Sequence, residues 1–98
     1  MFAVPLRFND GREVPHELVS QTISELEERF EGVTWESQVL HGRWRQGEKS
    51  YQDELLRIFV DADASQANRD FFLDYKNELK SRFKQLDIWL TVHPIETL

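Results

Sequence analysis

The segment from Tyr51 to Asp61 constrains the fold most, because its pattern predicts a β-strand that is apolar on both faces. Successive side chains on a strand point to opposite faces of the sheet. Two apolar sets result: Leu56, Ile58 and Val60 on one face, and Tyr51, Leu55 and Phe59 on the other. A sheet that is covered by helices on one side needs only one apolar face, so we expect the second face to contact something else.

Hydrophobic periodicity and turn residues predict the order β-α-β-β-α-β. The first predicted elements are a strand over 2–8, a turn at Asn9-Asp10-Gly11, and a helix with Pro15 in its first turn and Gly32 as C-cap. They are followed by strands over 33–45 and 51–61, a helix capped by Asp63 or Ser65 that extends to about Gln85, and a strand over 88–93. Two right-handed crossovers around a hairpin predict an α+β, ferredoxin-like fold, with a four-stranded antiparallel sheet and both helices on one face. Residues 1–98 are expected to form a single domain.

Pro5 conflicts with this topology, because the first strand would be central in the sheet and proline has no N–H to donate. Three arrangements could accommodate it. Regular pairing could start after Pro5, a bulge could lie there, or the strand order could differ.

The predicted hairpin loop, Gln46 to Lys49, sets the register of the two long strands. It places Leu40 opposite Leu55, Gln38 opposite Arg57 and Glu36 opposite Phe59. Trp35 and Val39 then lie on the helix-covered side. The other side is predicted to carry a partner-binding surface made of Leu40, Trp44, Tyr51, Leu55, Phe59 and Trp89. A slip by one residue would exchange the faces of a strand.

Several uses of this surface compete. Burial in a homodimer is favoured, because large exposed apolar patches usually mark interfaces and homodimers dominate soluble oligomers. A ligand cavity between two sheets, as in dimeric α+β barrels, would use His41, Arg57 and His93 as polar groups. Stacking of single-stranded nucleic acid is disfavoured, since the formal net charge is −6 and an aromatic-rich basic segment is missing. The termini or long side chains of the chain itself could also cover it.

Catalytic chemistry has little support in the sequence. The chain has no cysteine, which excludes disulfides, thiol catalysis and cysteine-based zinc sites. The three histidines lack the spacing of a metal site. Glu25 and its acidic neighbours on the first helix are expected to be solvated, and Arg82 is expected to complement the dipole at a helix end. We therefore expect no catalytic residue, no metal and no cofactor.

No stretch approaches the length of a membrane span and no secretion signal is evident, so we expect a cytoplasmic protein. The sequence predicts a non-catalytic protein-interaction or assembly module that forms a homodimer. The contact would be made by the aromatic sheet face or by the hairpin, and a larger protein is the alternative partner. The second hypothesis is a small-molecule enzyme or binder of the dimeric α+β barrel type.

Three segments carry a resemblance to a group of proteins: Arg29-Phe30-Glu31-Gly32, then Gly42-Arg43-Trp44-Arg45, then Arg82-Phe83-Lys84-Gln85. Together they resemble small bacterial proteins of unknown function, in which a helix ends in an R-F-x-G type segment and a strand ends in G-x-W. The similarity covers roughly residues 15 to 92. It implies a ferredoxin-like fold and a bacterial origin, and it implies no activity.

Overall fold

The computed structural model describes the backbone of residues 1–43 and 50–98, and the side chains of residues 1–39 and 54–98. The elements are β1 (Phe2–Pro5), α1 (His16–Arg29), β2 (Val33–Arg43), β3 (Ser50–Val60), α2 (Gln66–Arg82) and β4 (Trp89–Leu90). The strands form one antiparallel sheet in the order β2-β3-β1-β4. The predicted α+β, ferredoxin-like fold is therefore confirmed.

The core lies between the helices and one face of the sheet. Phe2 and Val4 of β1 lie beside Leu56 and Ile58 of β3, and all four side chains are buried. The helices and the segments that follow them contribute the other buried side chains, including Leu26, Tyr75, Leu79, Phe83 and Ile88. The two apolar sets of β3 are thus separated by the sheet, and only the set with Ile58 belongs to the core.

The helix ends follow local capping rules in part. Ser65 caps α2, because its Oγ accepts a hydrogen bond from the backbone N–H of Asn68 at 3.1 Å. α1 begins at His16, so Pro15, which was predicted in the first turn, is instead the N-cap and gives no side-chain hydrogen bond. The prediction of Gly32 as C-cap is wrong, since α1 ends at Arg29, its C-cap is Phe30 in extended backbone, and Gly32 has no positive φ.

β1 is shorter than the predicted strand over 2–8, because the chain folds back on itself after Pro5. Arg7 forms a bridge with Glu13, and the N–H of Phe8 donates to the carbonyl of Arg12 at 2.8 Å. The predicted turn at Asn9-Asp10-Gly11 lies between these pairs, with Gly11 at φ +89°, a conformation that favours glycine.

Pro5 fits because of the direction in which its missing N–H would point. Backbone groups alternate along a strand between the two neighbouring strands. Leu6 donates to the carbonyl of Glu54 on the β3 side, whereas Met1 exchanges hydrogen bonds with Thr91 on the β4 side. Pro5 therefore turns its nitrogen toward the β4 side, beyond the pairs that β4 makes with Phe2 and Ala3. None of the three predicted arrangements is needed.

The register of the long hairpin differs from the predicted one by two residues. Leu55 lies opposite Gln38, Arg57 opposite Glu36 and Phe59 opposite Thr34, and the last described pair is Arg43 with Ser50. The observed register places the opposite charges of Glu36 and Arg57 side by side, whereas the predicted one placed Glu36 against Phe59. A shift of two residues keeps every side chain on its predicted face.

β4 contains two residues, fewer than the predicted strand over 88–93. The backbone bonds between Met1 and Thr91 continue the pairing by one position. Ile88 is buried, but Val92, predicted on the same face, is 76% exposed. Pro94 lacks an N–H and cannot extend a ladder of hydrogen bonds.

Candidate protein-interaction surface

The open sheet face is the side of the sheet turned away from the helices. Its described residues come from all four strands: Ala3 and Pro5 of β1, Thr34, Glu36 and Gln38 of β2, Leu55, Arg57 and Phe59 of β3, and Trp89 of β4. Neither α1 nor α2 packs on this side, since their buried residues belong to the core on the other side. The surface predicted from the two-faced third strand is therefore uncovered by the helices.

The apolar part of the open sheet face is divided between β3 and β4. Leu55 and Phe59 are half-buried, and Trp89 is 69% exposed. Trp89 lies opposite Ala3, whose own partner on the other side is Arg57. The predicted partner-binding residues Leu55, Phe59 and Trp89 thus share one face.

The remaining predicted contact residues cannot be placed in full. Trp44 lies outside the described residues, and the side chains of Leu40 and Tyr51 do so as well. The backbone pairs Leu40 with Asp53 and Tyr51 with Gly42. By strand alternation, these positions of Leu40 and Tyr51 fall on the open sheet face.

A polar group crosses the middle of the open sheet face. Arg57 donates from Nη1 to Oε1 of Gln38 at 3.1 Å, and its Nε lies 3.4 Å from Oε1 of Glu36. Gln38 donates to the same Glu36 oxygen at 3.2 Å. The Nε of Arg57 is buried and makes no hydrogen bond within the described part of the chain, so its contact with Glu36 is an ion pair without hydrogen-bond geometry.

Arg57 also contacts the apolar part of this surface. Its guanidinium carbon lies 5.1 Å from the centroid of the Phe59 ring, within the range of a cation–π contact. Arg57 lies between Leu55 and Phe59 on the same face of β3, so it separates these two apolar side chains. The open sheet face is therefore a mixed surface, in which Arg57 divides the apolar area.

The polar residues predicted for a ligand site are not brought together by any described contact. His93 lies beyond Thr91, the last residue of its segment that pairs with β1, and its ring is exposed. Its Nε2 lies 2.9 Å from the Thr91 hydroxyl. The side chain of His41 lies outside the described residues. Among residues whose side chains are described, no acidic or histidine cluster could hold a metal ion.

A second polar cluster, which the sequence analysis missed, joins the two helices. Arg82 donates from Nη2 to both carboxylate oxygens of Glu25, at 2.7 and 3.0 Å, and from Nη1 to the Thr22 hydroxyl at 2.9 Å. The Tyr75 hydroxyl lies 3.2 Å from both the Thr22 carbonyl and the Glu25 carboxylate. We call these four residues the interhelix clamp.

Burial and the adjacent charge of Glu25 raise the pKa of Tyr75 to about 12, so the phenol stays protonated and can donate near neutral pH. Burial opposes the charge of Arg82, but its hydrogen bonds and ion pair with Glu25 outweigh this and raise its pKa. Every side chain of the interhelix clamp is satisfied by another member. The clamp is therefore suited to holding α1 against α2.

The expectation that Glu25 is merely solvated is wrong, and Arg82 does more than complement a helix dipole. A signal was present in the spacing. Thr22 lies four residues from both Leu18 and Leu26 in the apolar stripe of α1, and Arg82 lies seven residues after Tyr75 on α2. Polar residues on the inner faces of two helices predict a buried hydrogen-bonded contact.

No protein-family model, curated protein or solved structure matches the chain. The resemblance to small bacterial proteins is thus supported in the fold it implied and in nothing finer. No described helix is long and apolar enough to cross a membrane.

Proposed function

We propose that the chain is a non-catalytic assembly module that forms a homodimer, either through the open sheet face or through the β2–β3 hairpin. The observation that carries the proposal is the uncovered second face of β3, where Leu55 and Phe59 lie opposite the core and Trp89 joins them from β4. Apolar side chains that converge on an uncovered face are typical of interfaces.

The state of the polar groups also favours binding over chemistry. Arg57 is engaged with Glu36 and Gln38, and the His93 ring is engaged with Thr91. A general acid or base must reach a substrate proton at hydrogen-bond distance. Arg57 instead contacts residues across the hairpin, and His93 contacts Thr91 two positions before it.

Sedimentation velocity across a concentration series tests the proposal. We expect the wild-type chain to dimerise at micromolar concentration. Phe59→Ala is expected to weaken a face-to-face dimer by about tenfold or more, because aromatic side chains at interface centres contribute the most to binding. The matched control is Thr34→Ala, which changes the residue opposite Phe59 on the neighbouring strand. A wild-type chain that remains monomeric at high micromolar concentration contradicts the proposal.

The second candidate is a small-molecule binder of the dimeric α+β barrel type. The specific observation in its favour is Arg57, which lies on the face that would line such a cavity and whose Nε makes no hydrogen bond in the described part of the chain. It predicts a closed cavity between two sheets, lined by at least two of His41, Tyr51, Arg57 and His93. A structure of the dimer with a dry, fully packed sheet face would contradict it.

A further inference from the structure

Among the described residues, no strand pairs with the outer edge of β2. The backbone groups that point toward this edge follow from the hydrogen bonds of the sheet. Glu54 accepts a bond from Leu6, so its backbone points toward β1, and its neighbour Leu55 points toward β2. Gln38 lies opposite Leu55 and therefore points toward β3. By alternation, the N–H and C=O groups of Trp35, Ser37 and Val39 point outward. We call these three residues the β2 edge.

The side chains of the β2 edge lie on the helix side of the sheet, but the helices do not cover them. Trp35 is 48% exposed and Val39 is 50% exposed, although Trp35 lies opposite Ile58, which is fully buried. An exposed edge of this length with apolar side chains is a template for strand pairing. Charged or proline residues, which natural proteins use to block such pairing, are absent from the β2 edge.

We infer that two copies of the chain pair antiparallel along the β2 edge, about a two-fold axis at Ser37. This inference rests on the proposed homodimer and assigns its contact to the hairpin edge, so that the open sheet face stays available to another partner. Ser37 would pair with Ser37 of the second copy, and Trp35 with Val39. All these residues have outward backbone groups, so the strands exchange hydrogen bonds at each of the pairs. The product is a continuous eight-stranded sheet.

Side-chain complementarity selects this register over its neighbours. Trp35 against Val39 is an aromatic–aliphatic pair, which stabilises adjacent strands. On the open sheet face, Glu36 of one copy then lies opposite Gln38 of the other, where the amide can donate to the carboxylate. A shift that centres the axis on Glu36 would place two carboxylates directly opposite each other, which is destabilising. A shift that centres it on Gln38 would separate Trp35 from Val39.

The edge contact also avoids a cost of face-to-face packing. A second sheet on the open sheet face would bury the Arg57–Glu36 pair, and the desolvation of an ion pair offsets much of its attraction. Edge pairing leaves that group at the surface. It also brings the two α1 helices to the same side of the joined sheet, where they flank the Trp35–Val39 pairs.

Disulfide trapping tests the register, since the natural chain has no cysteine and one introduced thiol is the only thiol present. Paired Ser37 residues would have Cα atoms about 5.5 Å apart, within the disulfide range of roughly 4.4–6.8 Å. Under oxidised glutathione, Ser37→Cys is expected to form a linked dimer at least ~10-fold faster than Ser20→Cys, because strand pairing raises the effective thiol concentration. Ser20 is exposed on α1 and serves as the matched control.

Proline substitution tests the backbone contact. Ser37→Pro removes an N–H that points to solvent in the monomer, so the ladder with β3 stays intact, and Ser37→Ala is its control. Loss of two hydrogen bonds is expected to raise the dimer dissociation constant by about tenfold or more in sedimentation. Val39→Lys is expected to weaken the dimer as well. If circular dichroism shows that Ser37→Pro is unfolded, Val39→Lys is the variant that tests the contact at the β2 edge.

The outcomes separate the inference from the proposed function. A monomeric wild-type chain contradicts both. A dimeric wild-type chain that Val39→Lys leaves dimeric, with trapping of Ser37→Cys no faster than that of Ser20→Cys, contradicts the β2 edge alone. Fast trapping together with dissociation by Val39→Lys supports it.

Discussion

Ile58 and Phe59 are neighbours on β3, yet they lie in different environments. Ile58 is fully buried beneath the helices, between Trp35 and Phe2 on the adjacent strands. Phe59 is half-buried on the open sheet face, against Arg57. The difference teaches that the two apolar faces of this strand have different uses. One supplies the core, whereas the other is available to a partner.

Two of the Arg–Glu pairs among the described residues repeat this contrast. In the interhelix clamp, Arg82 and Glu25 are 2.7 Å apart, with 13% and 30% of their side chains exposed. On the open sheet face, Arg57 and Glu36 are 3.4 Å apart, with 33% and 48% exposed. The buried pair is completed by Thr22 and Tyr75. The exposed pair is looser and is accessible to another molecule.

The largest expected effect comes from comparing the two faces of β3 directly. Ile58→Ala should lower the free energy of unfolding by about 3 kcal/mol, because it removes buried methyl groups and leaves a cavity. Phe59→Ala should lower the same free energy by about 1 kcal/mol. The deleted side chain is larger, but it is only half-buried in the monomer. Urea denaturation at one low protein concentration measures both. Equal losses would mean that the second face also belongs to the core.

Arg82→Ala is the next largest. This substitution should lower the free energy of unfolding by about 2 kcal/mol, because it leaves the Glu25 carboxylate partly buried without its partner. Arg69→Ala, at an exposed position on the same helix, is the control and should be nearly neutral. If the two variants unfold at the same urea concentration, the interhelix clamp does not stabilise the fold.

The raised pKa of Tyr75 predicts that the contribution of the interhelix clamp to stability depends on pH. Its pKa is raised from 10.0 to about 12 in the folded chain, so the phenol ionises more readily when the chain is unfolded. The contribution to stability is thus full below pH 10 and is lost as pH rises from about 10 to 12. Thermal unfolding should show a smaller decline over this window in Tyr75→Phe than in the wild type. A decline of equal size in both would assign the pH dependence to other groups.

The smallest effect is expected at Arg57. A partly exposed ion pair contributes about 0.2–1 kcal/mol and is weakened by salt. A double-mutant cycle of Arg57→Ala and Glu36→Ala at low and high salt measures this coupling in the monomer. A coupling above ~2 kcal/mol that persists at high salt would show that this pair resembles the buried one.

The residues of the candidate surface could be assigned to their face from the sequence, because strand alternation is a local property. Leu55, Phe59 and Trp89 lie on the predicted side. Their partners across the hairpin could not be assigned, since the register depends on the loop that joins the two strands and not on alternation. Arg57 lies between Leu55 and Phe59 by the same alternation, whereas its pairing with Glu36 depends on that register.

The sequence by itself determined the order of the elements, the sides of β3 and the turn at Gly11, and it narrowed the cap of the second helix to Asp63 or Ser65. Each depends on a periodicity of two or 3.6 residues, or on contacts within a few positions of the chain. Only the tertiary structure decided the hairpin register, the place of Pro5 and the interhelix clamp. Those depend on groups far apart in sequence, such as Glu25 and Arg82, which become neighbours only when both helices pack on the same side of the sheet.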